Sequence, residues 1–149
     1  MLIRTHLSFG IFFILIFLPY LDNKLLFIFT VLLGVIFPDL DSKNSSYGKY
    51  LIFRPFQFFI KHRGILHSFI SAFILGFIIK YFFNDYGFII GYLSHLILDC
   101  LTKQGVYLFW PFSFKIKGFL KSGGLFDELL FLILVSINFI LFFINVIFA

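Results

Sequence analysis

Five long apolar runs, separated by short polar joints, constrain this chain more than any other feature: about Leu7 to Leu21, Leu25 to Phe37, Ile65 to Phe83, Tyr86 to Leu101 and Leu125 to Phe148. A soluble globule of 149 residues cannot enclose them, because 61% of the chain is hydrophobic and the remainder is too little to coat a surface. A mean hydropathy of +1.06 points the same way. The expected fold is an all-α integral membrane protein, one domain over residues 1–149, built as a bundle of about five membrane helices. The first, second and fourth runs are shorter than the ~20 residues with which a helix spans a bilayer. The first two are therefore expected either to form a short re-entrant hairpin or to be lengthened by polar ends held inside protein.

The opening Met1-Leu2-Ile3-Arg4 and the run Ile11 to Leu18 have the look of a secretory signal. Cleavage needs small residues after the apolar core, and the only alanines are Ala72 and Ala149, so the segment is kept as part of the membrane domain. The single cysteine, Cys100, excludes an internal disulfide and suits a small packing residue of an apolar helix. The 27 phenylalanines fit lipid-facing and packing positions. They imply no nucleic-acid partner.

Pro38 disfavours the helical conformation of Phe37 and offers no amide hydrogen, so the second run must stop there, leaving Asp39-Leu40-Asp41 at a membrane surface. Asn84-Asp85 separates the third and fourth runs, and Lys103 to Phe126 forms a loop before the fifth. Within that loop Phe112, Phe114 and Ile116 alternate with Ser113, Lys115 and Lys117, which predicts a short interfacial strand with one greasy face. Trp110 marks the headgroup level. Five crossings place the amino terminus, the 38–64 loop and the 102–124 loop on one face. That face carries Arg4, Lys43, Lys49, Arg54, Lys61, Arg63, Lys103, Lys115, Lys117 and Lys121, ten of the twelve basic residues, with Lys24 and Lys80 opposite. By the positive-inside rule it is expected to be cytoplasmic.

All four histidines fall on that face or within about two helical turns of it, together with Asp39, Asp41, Asp99, Asp127 and Glu128. His95 and Asp99 are four apart, so on a helix they share one face with roughly 5–6 Å between Cβ atoms, a spacing that suits two ligands of one cation. Inside an apolar segment an unpaired carboxylate costs several kcal/mol, which makes metal ligation the leading explanation for this pair. Asp39 and Asp41 flank Leu40 beyond a helix end, where one carboxylate can bind or bridge ions while the other orients a histidine. His67 enters the third helix on the shared face, and His6 begins the first, so both join the expected ligand set of His6, Asp39, Asp41, His67, His95 and Asp99.

His62 suits a proton shuttle, and Arg63 presents a planar fork to a phosphate or carboxylate. Ser68 reads as a cap or hydrogen-bond donor, since no Ser-His-Asp order is distinguishable. Glu128, after Ser122-Gly123-Gly124, is placed to act as a last ligand or a general base, with Asp127 the weaker candidate. The donors are nitrogen and oxygen, so zinc, manganese or iron fits, zinc foremost, as one or two divalent ions.

Thr5-His6, Pro38-Asp39-Leu40-Asp41, the stretch His62-Arg63-Gly64-Ile65-Leu66-His67-Ser68, the stretch Gly91-Tyr92-Leu93-Ser94-His95-Leu96-Ile97-Leu98-Asp99, and Ser122-Gly123-Gly124 with Glu128 together resemble the YdjM-type family over nearly the whole chain. That family consists of inner-membrane proteins described as metal-dependent hydrolases, so the resemblance implies a bacterial or archaeal inner membrane and a hydrolytic metal site. More remotely, the order Asp, His, then His-x3-Asp is similar to the zinc-dependent phospholipase C and nuclease group. That group's second His-x3-Asp/Glu pair is missing, which favours one or two ions over three.

The resulting expectation is a membrane-bound metal-dependent hydrolase acting on a phosphoester or ester of a lipid or lipid-linked substrate, with Arg63 steadying the anion and Asp41, His62 or Glu128 taking the proton. The alternatives are a divalent-metal transporter and a non-catalytic protein whose ion braces the helices. Transport sites sit near the bilayer midplane between repeats. This chain shows no repeat, and its opposite face offers only Asp22, Lys24, Lys80 and Asp85 as ionisable groups.

Overall fold

The computed structural model describes residues 1–42, 45, 47–59 and 63–148, without side-chain detail at Pro55, Phe56, Phe59 and Phe148. The expectations placed on Lys43, Lys61 and His62 lie outside the described residues. Helix α1 (Ile3–Phe17) leads through a 3-10 turn to α2 (Lys24–Ile36), and a second 3-10 turn, Phe37–Asp41, carries that helix on. A short α3 (Arg54–Phe59) and a 3-10 turn at Ile65–His67 precede α4 (Phe69–Phe83), α5 (Gly87–Cys100) and α6 (Leu125–Phe148). Each of the five apolar runs is thus a helix.

Ile3–Tyr20, with 18 residues, and Leu125–Ile147, with 23, are long and apolar enough to cross a bilayer. Helices α2, α4 and α5 have only 13, 15 and 14 residues. α1 and α2 form an antiparallel hairpin in which the 3-10 turn Leu18–Tyr20 lengthens the first arm. Local chemistry sets the ends. Asn23 accepts from the Leu26 amide at 3.3 Å and Ser68 from the Ser71 amide at 3.3 Å, so each caps the helix that follows. Asn84 ends α4 in the left-handed conformation, φ 51°, a geometry asparagine tolerates better than most residues.

The closest packing is between α2 and α5, which run parallel. A Cβ on Gly91 would collide with the Val31 carbonyl, and one on Gly34 with the Phe88 carbonyl, so both positions need glycine for backbone to lie on backbone. Two apolar clusters flank this seam. Val31, Val35, Phe27 and Ile14 fill one side, and Tyr92, Phe88, Leu96 and Ala72 the other. Helix α6 leans on α1, where Asn138 Nδ2 donates to the Ser8 carbonyl and Asn145 Nδ2 to the Leu15 carbonyl, both at 2.8 Å. Partners that advance seven residues on both helices show that α1 and α6 are parallel. Most of the remaining α6 surface is exposed Phe, Ile and Leu, as a lipid-facing helix requires.

The 101–120 loop does not contain the expected strand. Among the described residues it has only isolated bridges, Val106 with Ile116 and Thr102 with Leu120. Phe112, Ser113 and Phe114 are all exposed, so the alternation does not separate two faces. The loop is instead tied down at its base, where the Lys103 amide donates to Leu120 at 2.8 Å and the Phe69 amide reaches Leu108 at 2.9 Å. Backbone pairing of this kind fixes the loop to the start of α4 without needing a sheet.

Candidate metal centre

Four helix ends meet on one face of the bundle. His6 comes from the first turn of α1, Asp39 and Asp41 from the 3-10 turn after α2, His67 from the 3-10 turn before α4, and His95 and Asp99 from the last two turns of α5. The α2–α5 seam places Val35 beside His95, so that His95 Nδ1 donates to the Val35 carbonyl at 2.7 Å. A carbonyl can only accept, hence Nδ1 carries the proton and the lone pair of Nε2 faces inward. Nε2 is buried, makes no hydrogen bond, and lies 3.8 Å from Asp99 Oδ2 and 3.8 Å from Asp39 Oδ1.

His67 has the matching arrangement. Its Nδ1 faces Asp41 Oδ2 at 3.2 Å, leaving Nε2 at 3.6 Å from Asp99 Oδ2. A carboxylate behind an imidazole is the usual way in which the ring of a metal ligand is held and made more basic. His6 stacks on His95, centroids 4.0 Å apart and 12° from parallel, and turns Nε2 toward Asp99 Oδ1 at 3.5 Å. The donor atoms of His6, His95 and Asp99 lie within 4.8 Å of one another, and so do those of Asp39, His67 and His95.

The fit to a divalent cation is good on chemical grounds. Buried Nε2 of His95 has no hydrogen-bond partner, a costly state that coordination would relieve. Asp99 is buried beside three imidazoles, with the Arg63 guanidinium 3.2 Å from Oδ2 and the Met1 amine 2.8 Å from Oδ1. Of the five converging residues only Asp39 retains real exposure, 18% of its side chain. Burial pushes its carboxyl above the ordinary value, with His6 and His67 pulling the other way. Among the described donors, Asp39 is thus the one that reaches solvent.

The structure brings together His6, Asp39, His67, His95 and Asp99, and it sets Asp41 behind His67, where Asp41 also accepts the Arg63 amide at 3.0 Å. Arg63 has φ 60°, and its Nη1 donates to the Gly105 carbonyl at 3.0 Å. Its fork therefore braces the loop and Asp99, and the side chain keeps 13% exposure at the rim. Glu128 is exposed and paired with Arg4, and it is not among the converging donors. Asp127 is the buried member of that pair. It accepts from the Leu2 amide at 3.1 Å, Thr5 Oγ1 at 2.7 Å and the Gly123 amide at 2.8 Å, and so clamps the start of α1, which carries His6, onto α6. Its signal in the sequence was the neighbouring Gly123-Gly124, which frees an amide to turn toward it.

Apolar helices, an exposed hydrophobic girdle and a buried His/Asp centre at one end of the bundle define a helical membrane protein with a polar site. The family model described as YdjM inner membrane protein matches residues 1–148, and the chain belongs to that family. It is 33% identical over 99 residues to inner membrane protein YdjM of Escherichia coli K12, and equally to that of Shigella flexneri, covering 59% of this chain and 50% of each relative. It is also 28% identical over 104 residues to the uncharacterized protein YvsG of Bacillus subtilis, covering 64% of this chain and 65% of that protein. The chain therefore spans about half the length of the YdjM relatives it matches. No solved structure matches it. The likeness to the zinc-dependent phospholipase C and nuclease group rests on ligand order alone.

Proposed function

We propose that this protein is a membrane-bound metal-dependent hydrolase holding one divalent ion, zinc before manganese or iron, at the cytoplasmic edge of its bundle. The observation that supports this most directly is the inward lone pair of His95, fixed by Val35 and shared by both donor triads. Because Nδ1 is committed to the carbonyl, His95 can serve only one ion, so the two triads cannot both draw on it for separate ions. The ligands are drawn from His6, Asp39, His67, His95 and Asp99, with a position left for water, and Asp41 orients His67.

When bound, such an ion supplies Lewis acidity toward water and toward the scissile group. Asp39 is the most exposed of the donors, on the side where a substrate must approach. Arg63, at the rim, holds Asp99 in place and is the cation nearest an incoming anion. His62 and Glu128 remain candidates for proton transfer. The substrate class is a phosphoester or ester of a lipid or lipid-linked molecule, because a site at the end of membrane helices meets headgroups first.

One observation favours a second reading, an ion that only braces the helices: His6, His67, His95 and Asp99 are all at most 1% exposed. The two readings part on turnover. Purified, metal-loaded protein should hydrolyse at least one member of a phosphoester and lipid-ester panel, with loss of activity on chelation and in His95→Ala. Stoichiometric metal without turnover on any substrate would support the bracing role.

A further inference from the structure

At the end of the bundle away from the metal centre lies a cavity of about 490 Å³ between the α1–α2 turn and the α4–α5 turn. Its volume is that of a small-molecule or acyl-chain site. Phe17, Leu21, Phe27 and Ile90 make it apolar inside, whereas Lys80 and Tyr86 stand at its rim. The Lys80 ammonium donates to Asn84 Oδ1 at 2.5 Å and lies 4.2 Å from the Tyr86 ring centre, so neutral groups hold it in place. Among the described residues no carboxylate pairs with it. Asp85, although it also lines the cavity, is turned inward, where it accepts from the Thr30 hydroxyl and, at 2.8 Å, from the Gly87 amide.

The depth of this rim is marked independently. Tyr20, Tyr81 and Tyr86 are all exposed at the same end of the bundle, as tyrosines are in the headgroup layer of a bilayer. A greasy chamber thus opens at headgroup level beside a positioned, unbalanced cation. We propose that this cavity binds one membrane phospholipid of the leaflet opposite the metal centre, with an acyl chain in the chamber and the phosphate diester at Lys80.

The site is independent of the metal chemistry. It is tested by native mass spectrometry of the full chain, delipidated in neutral detergent and offered phosphatidylglycerol or, separately, diacylglycerol. One phosphatidylglycerol should be retained per chain, roughly tenfold better than diacylglycerol, as one charge-assisted contact provides. Lys80→Gln should remove that preference. Ile90→Trp, which fills the chamber, should abolish retention of both lipids, and Leu21→Phe serves the same purpose if Ile90→Trp does not fold. Equal retention of the two lipids by the native chain, an undiminished preference in Lys80→Gln, or full retention in the filled variants would each overturn the proposal, the last by showing that the lipid is bound only to the outer surface.

Discussion

The Val35 carbonyl accepts the Nδ1 hydrogen of His95 at 2.7 Å, and this single bond decides which imidazole nitrogen faces Asp99. The two residues are sixty positions apart. They meet because glycines at 34 and 91 let α2 and α5 lie backbone to backbone. Helix packing and ligand chemistry are therefore one device, and the consequences can be measured.

Metal analysis of purified protein should find one ion per chain, and both His95→Ala and Asp99→Ala should lower bound metal at least tenfold, a loss of about 1.4 kcal/mol or more. A ratio of two ions per chain would favour a dinuclear centre bridged by Asp39 or Asp99 over the single ion proposed. Full retention of metal in both variants would remove the pair from the ligand set.

Asp41→Asn keeps shape and removes charge behind His67. Loss of such an outer partner typically weakens metal binding by about 10- to 100-fold. Competition against a chromophoric chelator should show a weakened but still stoichiometric site. An unchanged affinity would mean that Asp41 serves the backbone amide of Arg63 and not the ring of His67.

Metal affinity should fall as pH is lowered from neutrality, because three imidazoles must be neutral and Asp39 must lose its proton before they can ligate. Burial raises the Asp39 pKa. In the ion-free protein the sign is that of a disfavoured carboxylate: its contribution to stability is present at low pH and is lost as pH rises through the ordinary value toward the raised one. A cation offsets that loss. The increase in melting temperature on adding zinc should thus be larger at pH 7 than at pH 5, as followed by thermal unfolding in detergent.

Gly91→Leu would force α2 away from α5. Overpacking of this kind costs about 1–3 kcal/mol, so melting temperature should fall and metal content should fall with it. A variant with normal metal content would show that the seam can open without moving Val35 from His95.

Asn138→Leu and Asn145→Leu remove hydrogen bonds between α6 and α1. Such bonds average about 0.6 kcal/mol in a membrane helix bundle. Each variant should be only slightly less stable and should bind metal normally, since Asp127 still clamps the start of α1 through Leu2 and Thr5. Metal loss in either would mean that the whole length of α6 positions His6.

The five apolar helices and their order are legible in the linear chain because apolar runs and their breaks are local properties, whereas the short α3 is not. Asn84 stops α4 for reasons confined to a few bonds, whereas Pro38 does not end the helical course as expected: Phe37 stays helical and the chain continues as a 3-10 turn to Asp41, because proline is tolerated in a first helical turn. The His95–Asp99 pair was legible because helical periodicity alone puts residues four apart on one face. The alternation from Phe112 to Lys117 makes no strand, since alternation implies a sheet only when a partner strand exists, and among the described residues the loop is held by separate bridges. Asp127 was underrated beside Glu128 because the choice between a buried clamp and an exposed ion pair depends on where the start of α1 lies.

What the residues determined by themselves was composition, segment boundaries and a shared face, all set by interactions of short range along the chain. What only the tertiary structure decided was the role of each donor: Asp41 behind His67, Arg63 on Asp99, Val35 on His95. Those roles depend on the approach of α2 to α5 and of α1 to α6, and lone pairs acquire a direction only when their hydrogen-bond partners, remote in the chain, are in place.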